Sequence, residues 1–389
     1  MALDNQMLAT CEIVKVVANR GHQQIPFPEF YDNLNSKKMD SAYLEIAGWP
    51  GYTPTPLISL DKLASHCGVA SVFYKDESQR LDMKSFKALG GAYAVANLVA
   101  KQAATGVDPG NITVTTATDG NHGRSVAWGA QQAGCRAEIY IHEHVSKQRA
   151  DAMETFGAKV NRIEGNYEAS LAACKADAEA NNWHIVSDTS WTGYREIPCD
   201  IMAGYTVMGR EALDQLGSTR LTHCFLPIGV GGMAAGIVAP LWRAMGANFC
   251  HMISVESFMS ACFLESINAQ TPQFVDIREE TLMAGLSCGE ISDLAWEILQ
   301  PSLHHCLSIT DNAIAPLMAG FADGTFGGGS IEAGECATAG VAALLAANRD
   351  PALWQTLGFG ADSVVLLMGT EGATDPGIYD YMIAKGRNS

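Results

Sequence analysis

The sequence predicts an α/β protein of two intertwined lobes, each with a mostly parallel sheet covered by helices. Strand-like apolar runs alternate with helix-like runs along most of the 389 residues, the pattern of parallel strands joined by crossover helices. The runs fall into two groups, 72–187 and 222–369, and neither a low-complexity linker nor a repeat of solenoid period separates them. A larger lobe is expected from 1–95 with 195–389, and a smaller, mobile one from 96–194.

In chain order, "VFYK" (72–75) is the first strand and leads into the helical "FKALGGAYAVANLVAKQAA". "ITVTTA" precedes the helix "RSVAWGAQQAG", which Gly134 ends. "AEIYI" (137–141) is followed by a helix with Ser146 as N-cap and Gly157 as terminator. "KVNRI", a helix near 167–180 and "HIVS" (184–187) complete the first group. The second opens with "THCFLPIG" (222–229), passes through a helix to "MISVE" (252–256) and closes with "SVVLLMG" (363–369). Residues 257–330 mix helix and loop signals. Parallel sheets bind ligands beyond the carboxyl ends of their strands, so an active site is expected there, between the lobes.

Composition narrows the function. Hydrophobic residues at 48% and charged residues at 17% fit a soluble enzyme. A formal net charge of −17 argues against a nucleic-acid partner. No apolar run reaches the ~20 residues that span a bilayer, and the N-terminus lacks the basic and apolar regions of a signal peptide. Eleven cysteines, scattered singly without a C-x-x-C pair, read as reduced thiols of a cytoplasmic protein. The sequon at Asn111 is then fortuitous. No metal site is expected: "HEH" (142–144) lacks the H-E-x-x-H spacing, and "HHC" (304–306) has no second ligand pair.

Several stretches carry chemistry-bearing groups. "LPIGVGGMAAGIV" places Gly229, Gly231 and Gly232 between a strand and a helix, where main-chain N–H groups can hold a phosphate. The same G-x-G-x-x-A, with Glu256 ending the next strand, also matches a dinucleotide fingerprint. Lys87 in "SFKALGG" opens an apolar helix. It either snorkels to solvent or is a desolvated amine suited to bond an aldehyde, with Gly90 and Gly91 letting the backbone pass close to a flat ring. "TDGNHG" crowds Thr118, Asp119, Gly120, Asn121 and His122 into one strand-to-helix turn. A helix cap explains one polar residue there, not the set. Asp188 ends a strand, as a site residue or a turn cap. Thr370 ends another, where a hydroxyl can face a ring nitrogen.

In order and spacing, "SFKALGG", "DGNHG", "GVGGMA" and "GTEGATD" resemble the fold type II enzymes that use pyridoxal 5′-phosphate, the tryptophan synthase β-like group. Within it the chain looks most like the diaminopropionate ammonia-lyase family, sharing "ATDGNHGR-VAW", "DT-W-GY" and "AGL-CGE---LAWEIL" from Ala284 onward. The resemblance runs from about residue 45 to the C-terminus. It implies that Lys87, beside Phe86, bonds the cofactor aldehyde, that Asn121 contacts the ring hydroxyl, and that Thr370 faces the pyridine nitrogen. Gly229, Val230, Gly231, Gly232 and Met233 would cradle the phosphate, and Thr118, Gly120 and His122 would hold the substrate carboxylate. Asp119 and Asp188 match two catalytic acids that take the α-proton from opposite enantiomers. The implied reaction turns 2,3-diaminopropionate and water into pyruvate and two ammonia, in a homodimer.

The residue types agree with a diamine substrate. Dehydratases of this fold generally have a serine where this chain has Asp119. A carboxylate beside the substrate carboxylate is repelled in a desolvated site, unless it accepts a proton or faces an extra ammonium, which diaminopropionate has and serine lacks. A serine or threonine dehydratase is the nearest alternative. A nicotinamide-dependent oxidoreductase built on "GVGGMA" and Glu256 is more distant, and leaves Lys87 and the Asn121 loop without a role.

Overall fold

In the computed structural model, which describes residues 3–28, 34–118 and 120–388, the strands assemble into two sheets. In chain order they are β1 (Ile13–Ala18), β2 (Leu57–Ser59), β3 (Ser71–Asp76), β4 (Thr113–Ala117), β5 (Arg136–His142), β6 (Lys159–Ile163), β7 (His184–Ile185), β8 (His223–Pro227), β9 (His251–Ser257), β10 (His305–Ile309) and β11 (Val364–Gly369). One sheet runs β1-β10-β9-β8-β11-β3-β2 and the other β6-β5-β4-β7. The chain divides into two compact units. Segments 1–28, 54–79 and 208–389 form the first, and 29–53 with 80–207 the second.

In the first unit the inner strands are parallel, and the edge strands β1 and β2 pair antiparallel. The strands β8, β10 and β11 are buried at every residue, as expected for a sheet covered on both faces. Helices Ile314–Ala322 and Ala339–Asn348 are almost wholly apolar and join β8, β9, β10 and β11 in one core around Phe225, Ile253, Leu307 and Leu367. A helix apolar all round must be buried all round. The structure therefore resolves 257–330 into helices Cys262–Ala269, Asp293–Ser302 and Ile314–Ala322 with β10 between the last two.

Two buried polar features stiffen this unit. Lys75 Nζ on β3, fully buried, donates to Glu211 Oε2 at 2.7 Å and to the Thr55 carbonyl at 2.6 Å. Glu256, at the end of β9, accepts the N–H groups of Phe263 and Leu264 at 2.8 and 2.7 Å, and burial pushes its carboxyl up to about 8. It anchors the helix Cys262–Ala269, so the acid that a ribose reading needed is already engaged.

The opposite, N-terminal edge of this sheet carries a histidine cluster. His223, His251 and His305 begin β8, β9 and β10, and His22 and His304 stack beside them, with ring centroids 3.9 Å apart. His251 Nε2 and His305 Nδ1 stand 3.1 Å apart. Burial, reinforced by the neighbouring imidazoles, holds His251 down to about 3 and His304 to about 2. The unfolded chain takes up protons below about 6.5 while these rings do not, so their contribution to stability is complete above that pH and is lost as pH falls toward 3. Each such ring adds a slope of roughly 1.4 kcal/mol per pH unit. Urea midpoints are expected to drop steeply between pH 7 and pH 5. A flat profile there would show the rings protonating as freely folded as unfolded.

In the second unit all four strands are parallel. Helices Lys87–Ala104 and Asn121–Ala133 pack at close range because small residues meet. A Cβ on Gly129 would lie 2.7 Å from Ala92 Cα, and one on Gly91 would lie 2.6 Å from Ser125 Oγ. Ser125 Oγ also accepts the Ala92 N–H at 3.0 Å. This packing places 80–95 with 96–194, and 195–207 joins them through Gly204, whose Cβ would meet Leu89 O at 2.4 Å. Gly90 admits the flat ring of Tyr205, 2.4 Å from a Cβ added there. The Gly90–Gly91 pair thus serves helix packing.

Candidate active site

In the first unit, β8 and β11 are parallel neighbours with Leu367 opposite Phe225. Their carboxyl ends carry the glycine turn and Thr370 side by side. The turn is built for close approach. Gly231 has φ +98°, and a Cβ on it would fall 2.5 Å from the Phe263 ring. A Cβ on Gly229 would sit 3.0 Å from both Cys288 Sγ and the Gly285 carbonyl. Val230 is fixed by its carbonyl, which accepts the Ser292 N–H at 2.9 Å. The helix Gly232–Met245, with Met233 in its first turn, has no side-chain cap, so its first N–H groups remain for an anion. Thr370 Oγ1 is buried and has no hydrogen-bond partner among the described residues. An orphaned buried hydroxyl costs about 1–3 kcal/mol, which a ring nitrogen accepting its proton removes. Beside it Glu371 is taken up by the fold: its Oε1 accepts the N–H groups of Cys336 and Ala337 at 2.9 and 3.1 Å, and burial lifts its carboxyl to about 7.

Gly231→Ala tests this turn. Left-handed backbone and the Phe263 contact together cost about 2 kcal/mol or more. Equilibrium dialysis is expected to show at least about tenfold weaker cofactor retention. Unchanged retention would mean that the turn holds no phosphate.

In the second unit Lys87 opens the helix Lys87–Ala104 with its side chain 22% exposed. Its Nζ donates to Asp188 Oδ2 at 2.5 Å and lies 5.8 Å from the Phe86 ring centre. The approach to it is strained: Leu81, Asp82 and Lys84 all have positive φ (49°, 57° and 54°). Arg124 steadies this bend by donating to the carbonyls of Met83 and Asp82 at 3.3 and 3.4 Å. Burial pulls Asp188 upward, but the Lys87 ammonium, through its charge and its hydrogen bond, outweighs it and holds the carboxyl well below the usual carboxylate range.

Asp188 follows β7 on a turn that sequence reasoning left unexplained. "HIVS" forms a strand only at His184–Ile185. Beyond it the Tyr194 hydroxyl accepts the Ser187 N–H at 2.8 Å and donates to the Ile185 carbonyl at 2.9 Å, pinning the turn. Trp191 stacks on Tyr194 at 4.1 Å. "W-GY" in the shared wording was the available signal. Tyr205 was missed as well: it is 2% exposed, packs edge-on against Phe86 at 4.9 Å, and its hydroxyl has no partner among the described residues.

The turn before the helix Asn121–Ala133 sorts its donors. Thr118 Oγ1 accepts the N–H groups of Gly120 and Gly123 at 3.1 and 3.2 Å. Its own O–H is therefore what it can give. The N-cap, Gly120, has no side chain, and Thr118 takes only the Gly123 N–H, so among the described residues the first-turn N–H groups of Asn121 and His122 are left pointing to an anion site. Gly120's N–H is spent within the turn. The His122 ring is buried and Nε2 meets the Val186 carbonyl at 2.8 Å. Asp119 lies outside the described residues.

A glycine turn and a buried hydroxyl at the carboxyl edge of one parallel sheet, and a lysine opening a buried helix, are the features of a fold type II enzyme of pyridoxal phosphate. The comparisons agree. A family model described as "Pyridoxal-phosphate dependent enzyme" matches residues 49–368. Diaminopropionate ammonia-lyase of Escherichia coli K12 is 35% identical over 357 residues, 87% of this chain and 89% of that protein. The Salmonella typhimurium enzyme of that name is 32% identical over 366 residues, covering 87% and 90%. A crystal structure of the Escherichia coli enzyme with an aminoacrylate-PLP azomethine reaction intermediate superposes with TM-score 0.88 at 32% identity over 100% of both chains. This chain belongs to the diaminopropionate ammonia-lyase family of pyridoxal-phosphate dependent enzymes.

Among the described residues no helix is long and apolar enough to cross a membrane.

Proposed function

We propose that this enzyme eliminates ammonia from 2,3-diaminopropionate, D, L or both, giving pyruvate and two ammonia. Pyridoxal phosphate supplies the electron sink for the charge left on the α-carbon. The N–H groups of Gly229, Val230, Gly231, Gly232 and Met233 would hold its phosphate, Thr370 Oγ1 would donate to the ring nitrogen, and Asn121 would donate to the ring hydroxyl. A hydroxyl at that nitrogen, in place of a carboxylate, leaves it less often protonated and favours prompt elimination. The Thr118 O–H and the Asn121 and His122 N–H groups orient the substrate carboxylate. Asp188 Oδ2 takes the α-proton of one enantiomer, and Asp119 that of the other. Lys87 Nζ would anchor the cofactor aldehyde covalently and, once free, would protonate the departing β-amine.

The observation that carries this reading is the Lys87–Asp188 pair, an anchor and a carboxylate base 2.5 Å apart. Keto-acid release tests it: pyruvate from D- and L-diaminopropionate and from serine, 2-oxobutanoate from threonine. Faster release from serine or threonine would overturn it in favour of a dehydratase. The protein is further proposed to work in the cytoplasm, supported by eleven free cysteines of which nine are buried. A homodimer rests on the family resemblance, and light scattering on the eluting holoenzyme tests it.

A further inference from the structure

We propose that His122 is the proton partner of Asp188, receiving through Nδ1 the proton that the carboxylate takes from the substrate. This rests on the reading of Asp188 as a base. His122 is the second residue of the helix Asn121–Ala133 and is 6% exposed. Its Nε2 lies 2.8 Å from the Val186 carbonyl, which can only accept, so Nε2 carries the hydrogen. A neutral ring then presents a bare lone pair at Nδ1. That atom is buried without a hydrogen-bond partner among the described residues, and faces Asp188 Oδ2 at 4.0 Å.

A buried acceptor opposite an ionised oxygen is unsatisfied and also repelled. A proton on Oδ2, with the pair closing from 4.0 Å to hydrogen-bond distance, removes both penalties. Val186, through its carbonyl, fixes the ring so that the vacancy for that proton points at the base. The step balances. The Cα–H bond breaks and its electron pair stays on the substrate carbon. The proton joins Asp188 Oδ2, and the new O–H donates to, or passes its proton to, Nδ1. The charged groups facing the ring are Asp188, which favours the imidazolium, and Lys87, which opposes it. Burial, with Lys87 acting the same way, outweighs Asp188 and keeps the ring neutral until the proton arrives. Among the described residues the Tyr205 and Tyr194 hydroxyls also feel the charge of Asp188. His122 is thus a positioning residue that acts through the base.

His122→Gln keeps an N–H for the Val186 carbonyl but has no basic nitrogen. For the enantiomer that Asp188→Asn suppresses, holoenzyme carrying His122→Gln is expected to lose on the order of tenfold or more in kcat with KM little changed, and to shift the acid limb of its kcat profile. The other enantiomer should be nearly unaffected. Apart from turnover, nitrogen-15 NMR of the apoprotein should show the Nε2–H tautomer at His122, with its titration moved to lower pH by Asp188→Asn. An Nδ1–H tautomer, a titration indifferent to Asp188→Asn, or equal losses on both enantiomers would overturn the proposal. If Asp188→Asn suppresses one enantiomer while His122→Gln keeps rate and pH profile, only this inference falls. If Asp188→Asn slows neither, the base assignment falls and this inference with it.

Discussion

Lys87→Ala is expected to purify without the yellow absorption of the wild-type protein and to release pyruvate at least about a thousandfold more slowly. Borohydride, which fixes a lysine-bound cofactor to the chain, should raise the mass of the wild type and leave that of the variant unchanged. Alanine is a better helix former than lysine, so the start of the helix Lys87–Ala104 gains rather than loses. The change therefore probes chemistry and not folding. It also strips Asp188 of the cation 2.5 Å away, leaving burial to raise the carboxyl back toward the neutral acid. A yellow variant that takes up mass under borohydride would place the covalent anchor elsewhere.

Asp188→Asn is expected to cut turnover of one enantiomer of diaminopropionate by about a hundredfold or more, while the other falls far less. Asparagine is isosteric and still accepts a hydrogen bond from Lys87 through its carbonyl oxygen, but it takes no proton. The enantiomers present their α-hydrogens from opposite sides, so one carboxylate cannot serve both in one binding pose. Separate progress curves on the D and L substrates measure this. Equal losses would show that Asp188 acts on the lysine or the cofactor rather than on the α-hydrogen.

Much of this was legible because it is local. Strand β11 is an unbroken apolar run, β8 is one after its first residue, and β9 carries Met252, Ile253 and Val255, while the spacing from "SFKALGG" to "GTEGATD" needs no tertiary knowledge. The rest depends on partners distant in sequence. Strand β1 shows alternating half-exposure with Val14 51% exposed, and it is a strand only because β10 lies beside it. Strand β10 itself begins in the "HHC" that reads as a failed metal motif. Pro301, inside the helix Asp293–Ser302, and Pro316, inside Ile314–Ala322, hid the helices around it. In the site, Lys87, Asp188, Asn121 and the glycine turn announce themselves by residue type. Tyr194, Tyr205 and the Val186 carbonyl gain their roles from packing. Glu256 was plausible as a ribose ligand until Phe263 and Leu264 were seen to occupy it.

The bend at Leu81, Asp82 and Lys84 bears on how this protein could be engineered. Glycine at any of the three would relieve roughly 1 kcal/mol of backbone strain, so selection for heat tolerance alone would accept it. Each relaxation would also free the segment that delivers the anchoring nitrogen, widening the arc it sweeps before meeting the aldehyde. Variants hardened in this way should melt later and load their vitamin more slowly.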